Sequence, residues 1–282
     1  MALMAVCGLL VLLGVLAVVW WGDAEVRLPD LEEPSVRPAP GLVFRRYVWY
    51  LTLAVVSGVG SGVLVAGAGG RLAMRLLAAT ADDAAQGRLT EADEVVGRIS
   101  AGGTFGFIVF AALFFGLATG AVYLLIRRWL PSGGLGGLIY GALLLVVAAT
   151  RIDPLRAENL DFDIVGPGWL AVVAFGALVI VHGMAVTALA ARYSRTLPLP
   201  SADRRSLARH APLALLLPAA PVLVVVAVVG ALAVGLSRVE PVVAFLRSTR
   251  ALVIGRWALV AVSLIALPGS VSALVDIAGS QP

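Results

Sequence analysis

Charged side chains interrupt this sequence only at long intervals, and that spacing restricts the chain to a membrane-spanning helical fold. Residues 2–22 run uncharged to Asp23, 47–70 lie between Arg46 and Arg71, and 99–126 lie between Arg98 and Arg127. Roughly 132–150 follow, up to Arg151, then 167–191 up to Arg192, 211–237 up to Arg238, and 257–275 between Arg256 and Asp276. A helix crossing a hydrocarbon core about 30 Å thick needs about 20 apolar residues at about 1.5 Å each. The expectation is an all-α polytopic transmembrane bundle of about seven helices, forming one integral membrane domain over 1–282. The fourth run opens on Pro131-Ser132-Gly133-Gly134, a turn-like start, so a shorter or re-entrant segment there would reduce the count to six.

Composition agrees with lipid as the solvent. The 282 residues are 60% hydrophobic and only 13% charged, with a mean hydropathy of +0.99, more apolar surface than one soluble core could bury. All 21 basic residues are Arg. Without a lysine, neither a side-chain Schiff base nor a Walker A phosphate loop can form. By codon usage, richness in Ala, Val, Leu, Gly and Arg without Lys points to a GC-rich bacterial genome, hence to a bacterial plasma membrane. Cys7 is the single cysteine, so no intramolecular disulfide exists, and its place in an apolar run suits a small buried hydrophobe. The first run lacks a basic start and ends in Trp20-Trp21, which fits an interfacial belt and a retained signal anchor.

Orientation follows from arginine placement, because the arginines divide almost evenly between alternate loops. Arg45-Arg46, Arg127-Arg128 and the 192–209 cluster all fall in the odd loops, which places the N-terminus outside and the C-terminus inside. Between the runs, 23–44 is a Pro-punctuated acidic loop with Asp23, Glu25, Asp30, Glu32 and Glu33. Residues 81–98 predict a short surface helix, with Thr90 as N-cap and Asp93 as its capping-box partner.

Within the runs, small residues carry more information than chemistry does. Gly58-x-x-x-Gly62, Gly102-x-x-x-Gly106 and Gly116-x-x-x-Gly120 each put two glycines on one helix face, where backbones can approach closely. All three faces are expected at helix interfaces. Pro218, Pro221 and Pro268-Gly269 predict kinks, since proline removes an intrahelical hydrogen bond.

Ionisable groups at membrane depth are the default functional hypothesis. His182, well inside the fifth run, could relay protons or accept a hydrogen bond; its structural alternative is a tie to a neighbouring helix. Arg71 and Arg75, four residues apart on one face, could hold an anion or pair with the outer-loop acidic cluster of Asp153, Glu158, Asp161 and Asp163. That cluster has oxygen ligands but no metal-binding spacing, and the two histidines, His182 and His210, argue against a zinc or haem site. No catalytic motif of the zinc-protease, nucleophile-elbow or Cys-x-x-Cys type is present. No metal, cofactor or nucleic-acid partner is expected, and an enzyme is the least favoured class, because the carboxylates cluster in loops.

Gly70-Arg71-Leu72-Ala73-Met74-Arg75, followed by Asn159-Leu160-Asp161-Phe162 and Gly166-Pro167, resembles patterns in uncharacterised multi-pass membrane proteins of actinobacteria. That resemblance implies a membrane location and transfers no activity. Two functions from different classes remain. One moves or gates a small solute past His182 and requires a polar cavity there. The other is a structural or regulatory membrane subunit binding other helices, lipids or a second copy of the chain, and requires dry, packed interfaces.

Overall fold

A computed structural model describes residues 1–29, 40–217 and 220–280, with all side chains among them except those of 220–223. The middle of the Pro-rich loop, with Asp30, Glu32 and Glu33, lies outside the described residues, as does Pro218. The described residues are helical, with no strand beyond an isolated bridge between Leu89 and Val95. The helices are α1 (Ala2–Trp21), α2 (Pro40–Thr80), α3 (Ala101–Trp129), α4 (Gly133–Ala149), α5 (Gly168–Ser194), α6 (Arg204–His210), α7 (Ala220–Leu236), α8 (Glu240–Arg247) and α9 (Thr249–Gly279).

Five of them, α1, α2, α3, α5 and α9, are long and apolar enough to cross a membrane, and the α7–α8 pair adds a sixth if the two halves count as one span. A count of seven is not confirmed. Pro131-Ser132 and Gly133, whose φ is +67°, consume the start of the fourth apolar run, so α4 is short. The sixth run does not form one helix either. It opens as a 3-10 turn over Ala211–Leu216 with a proline in its first turn, continues as α7, and bends by 99° into α8.

At 41 residues, α2 is about 60 Å long, twice a hydrocarbon core. It begins at Pro40, so the end of the expected 23–44 loop is already helical; proline suits a first helical turn, whose N–H has no intrahelical partner anyway. Three π-helical turns interrupt the ladders: Gly62–Gly67 in α2, Ala112–Gly116 in α3 and Leu145–Ala149 at the end of α4. Pro268 stands inside α9 without ending it.

One end of the bundle is closed by a packed cap. Residues 81–98 are not the expected helix; after a 3-10 turn at Asp83–Ala85 they fold back on themselves, with Gly87 and Gly97 at φ near +82° and Asp93 at +57°. Thr90 does accept from Glu94 N–H (3.1 Å), but it caps a tight turn and not a helix. The 151–167 loop folds over this turn: Glu91 N–H donates to Asp161 Oδ1 (2.7 Å) and Arg156 pairs with Glu91. Leu77, Val96, Leu155, Phe162, Phe175 and Ile277 form the apolar centre beneath.

The opposite end is tied by other contacts. Trp49 Nε1 donates to the Leu197 carbonyl (2.9 Å), Arg27 N–H to Ser194 Oγ (2.9 Å), and Arg192 lies over the Trp21 ring at 5.4 Å. The 204–247 segment starts and finishes here: His210 Nδ1 is 2.7 Å from Thr52 Oγ1, and Arg128 donates to the Leu246 carbonyl. Between those anchors α7 lies along α2, with Tyr47 donating to the Val226 carbonyl. Helix α9 therefore leaves from this end, where Trp129 covers Gly255, and arrives at the cap, where Ile277 meets Gly168.

Candidate functional site

The site is built where α2, α3 and α5 meet. His182, buried in α5, has its Nδ1 2.7 Å from Ser61 Oγ of α2 and its Nε2 2.9 Å from Thr119 Oγ1 of α3. Ser61 Oγ also lies 3.0 Å from the His182 carbonyl, and Thr119 Oγ1 2.8 Å from the Phe115 carbonyl. Tyr140 of α4 donates to the Thr119 carbonyl. These partners satisfy a neutral imidazole in either tautomer. With the proton on Nε2, the ring donates to Thr119, Thr119 donates to Phe115, and Ser61 donates to Nδ1. With the proton on Nδ1, the ring donates to Ser61, Ser61 donates to the His182 carbonyl, and Thr119 donates to Nε2. In both, the two ring nitrogens are occupied, so none is free for a metal or a ligand.

Glycines make this junction close. A Cβ on Gly58 would stand 2.0 Å from the Gly116 carbonyl oxygen, one on Gly120 2.2 Å from that of Ala54, and one on Gly62 2.6 Å from Ala112 Cα. Two of the predicted glycine faces thus meet each other across α2 and α3. The third does not: Gly102 and Gly106 have no atom within 4 Å of a built Cβ and lie at the exposed start of α3. Their expected interface is absent among the described residues, because α3 turns its Thr104 side inward and presents these glycines outward.

Arg71 and Arg75 stand together near the cap end of α2, as their spacing requires, but neither pairs with the acidic cluster among the described residues. Arg75 donates to the Gly97 carbonyl (3.1 Å) and Arg71 reaches Thr104 Oγ1 at 3.4 Å. Asp161 instead accepts the Glu91 N–H, and Asp153 lies close to Arg156 and Glu91. Burial pushes the Asp153 carboxyl above its ordinary range; the same is true of Asp161, offset in part by the Glu91 N–H. Glu158 and Asp163 occupy the same loop, and among the described residues no three acidic, His or Cys side chains are placed to hold a metal. Two surface grooves, one at Arg45, Pro200 and Ser201 and one between α2 and α7, do not include His182.

Comparison with protein-family models, curated proteins and solved structures finds no match. The functional reading therefore rests on this geometry.

Sequence reasoning missed the hydroxyls that define the site. Ser61 and Thr119 each stand in a glycine-containing apolar run, and a hydroxyl three or four residues from a glycine of such a run was the available signal. It also missed Gly137, Gly141 and Gly183: a Cβ on Gly183 would be 2.4 Å from Gly141 Cα, and one on Gly141 2.5 Å from the Ile180 carbonyl. Gly137-x-x-x-Gly141 has the spacing already recognised elsewhere in the chain. Arg151 is a further omission; it donates to the Val146 and Ala266 carbonyls (both 2.7 Å) and so pins the end of α4 to α9.

Proposed function

We propose that this chain is a structural or regulatory membrane subunit whose helices bind other helices or lipid. The observation that carries the reading is the closed junction at His182. A solute path needs a ring nitrogen or a hydroxyl turned toward water, whereas here Ser61, His182 and Thr119 satisfy one another inside backbone-to-backbone glycine contacts. The outward Gly102 and Gly106 offer the face a partner helix would use. In a Cys7→Ser background, a cysteine at Phe105, which is exposed beside them, is expected to cross-link to a neighbouring chain in native membranes. Absence of any cross-link there and along α1 would count against the reading.

A second reading, gating of a small solute, is favoured by one observation: π-helical turns begin directly after Ser61 and end three residues before Thr119, and such turns gather at functional sites. Flux measurements on reconstituted vesicles separate the two. The subunit reading expects no pH-dependent flux. A flux that His182→Leu abolishes while the fold survives would establish the gate.

A further inference from the structure

The guanidinium of Arg71 is incompletely satisfied among the described residues. It lies with its carbon 5.9 Å from the centre of the Phe107 ring, which itself rests on Gly70, where a Cβ would come within 2.8 Å of the ring edge. Of its five N–H donors, one reaches Thr104 Oγ1 at 3.4 Å and another the Met74 sulfur at 3.9 Å. Nε is buried with no hydrogen-bond partner among the described residues. Both contacts are long, and sulfur is a weak acceptor. No carboxylate forms an ion pair with Arg71 or Arg75 among the described residues. The Glu94 carboxylate lies beside Gly103 in the first turn of α3. A partly buried cation without a counter-ion is costly, and the arginine fork matches a tetrahedral oxyanion bidentately.

The surroundings narrow the anion. Arg71 is partly exposed, at the level where the apolar run of α2 gives way to the cap, with the exposed Phe105 and Leu76 nearby in sequence on either helix. Thr104 supplies a hydroxyl from the opening turn of α3, whose N-terminal dipole also favours negative charge. Arg75, one turn along, has a single hydrogen bond among the described residues, to Gly97 O, and its other donors are open to a ligand there. We propose that Arg71, supported by Thr104 and Arg75, binds a phosphate group at the edge of the bundle, carried by an acidic lipid headgroup or by a soluble phosphate. Its lipid form rests on the lipid binding proposed above, whereas its soluble-phosphate form and the helix-binding face at Gly102 and Gly106 stand or fall separately.

Its test uses the purified full chain in phosphatidylcholine nanodiscs, with thermal unfolding followed as phosphatidylglycerol is mixed in or inorganic phosphate is added. The wild type should gain in melting temperature. A gain with phosphatidylglycerol alone identifies a headgroup site, and an equal gain with inorganic phosphate identifies a soluble anion; either supports the proposal. Arg71→Gln should lose that gain and Arg71→Lys should keep part of it. Native mass spectrometry gives a second readout that does not depend on melting: the wild type should retain phosphatidylglycerol over phosphatidylcholine about tenfold better than Arg71→Gln does, as expected for one charge-assisted pair. An equal gain in wild type and Arg71→Gln, no gain with either phosphate source, or a gain with phosphatidylglycerol alone that is not accompanied by any preference for the acidic lipid in the wild type would overturn it.

Discussion

Helices α1 and α2 pack side by side and obey opposite rules. In α1 only 17% of the most apolar stretch is buried, and Leu9, Leu12 and Val19 face outward; in α2 the buried share is 61%, although its apolar stretch is less hydrophobic. Beside Trp49, Leu53, Val55 and Val65, α2 buries a set of small or hydroxylated residues: Thr52, Ser57, Ser61, Gly58 and Gly62. In a bilayer the lipid is as apolar as leucine, so large aliphatic side chains gain nothing by turning inward. Close backbone contact and satisfied hydroxyls are what hold helices together. Thr52 and Ser57 bond the carbonyls of Val48 (2.9 Å) and Leu53 (2.7 Å) in their own helix, and Ser61 reaches across to His182. The same contrast, less marked, separates the inner α5, 44% of whose stretch is buried, from the outer α9, at 17%.

The contrast is sharpest, all or none, for the outer helix that sets the topology. Because 204–247 begins and ends at one end of the bundle, α9 should bring the C-terminus to the same side as the cap. In a Cys7→Ser background, cysteines at Ser280 and Ala157 should share one response to a membrane-impermeant thiol reagent in intact cells, and a cysteine at Ser201 should give the other. Labelling of the Ser280 and Ser201 positions together would mean that α7 and α8 cross after all, and would restore the alternation expected of seven spans.

Next in size are the glycines. Gly58→Leu or Gly116→Leu must force a side chain into a carbonyl of the facing helix, so the loss should exceed the roughly 1–3 kcal/mol of ordinary overpacking. Little folded protein should survive extraction into detergent. Gly106→Leu, made on the open face, should melt within about 1 kcal/mol of wild type, since leucine is also the better helix former. Equal losses for both would erase the distinction between inner and outer faces.

These glycines also mark how far the sequence could be read. Charge spacing located α1, α2, α3, α5 and α9, because the part of a helix inside the hydrocarbon must be nearly free of charge. It could not reveal that 211–247 returns to its starting side, since periodicity carries no record of where a helix's far end docks. Glycine spacing told which residues share a face, and for Gly58 and Gly116 that face met a partner. For Gly102 it did not, because rotation of α3 is decided by the whole set of its neighbours. Residues 81–98 have the sequence pattern of a helix because a capping threonine serves a tight turn equally well, and the positive φ of Asp93 is invisible in sequence. His182 was legible as a buried polar residue, but its partners were not, because Ser61 and Thr119 are 121 and 63 residues away along the chain.

The inner junction itself should respond more mildly than its glycines. His182→Leu removes two interhelical hydrogen bonds worth about 1 kcal/mol each at most, and membrane pairs average nearer 0.6. Ser61 and Thr119 keep carbonyl acceptors at 3.0 and 2.8 Å, so neither hydroxyl is stranded. A destabilisation of about 1–2 kcal/mol in denaturant titration is expected. A loss as large as that of Gly58→Leu would make the histidine, and not glycine contact, the chief tie of the inner helices.

The smallest effect belongs to the cap, which lies outside the comparison of inner and outer helices and so tests whether the cap is coupled to them. Asp153 is held above its ordinary carboxyl value of 3.8 chiefly by burial, with Arg156 opposing and Glu91 and Asp161 reinforcing the shift. A carboxyl whose folded-state affinity for its proton is raised binds that proton more tightly folded than unfolded. Its contribution is therefore fully present below about pH 3.8 and is lost as pH rises through the higher folded value. Asp161 has the same sign. Asp153→Asn, which stays neutral at every pH, should flatten part of the fall in stability on the alkaline side of that window and slightly raise the melting temperature at neutral pH. If Asp153→Asn instead lowers it, the ionised carboxylate is a net stabilising partner of Arg156, and the cap is held by charge more than by the apolar contacts of Leu155 and Phe162 beneath it.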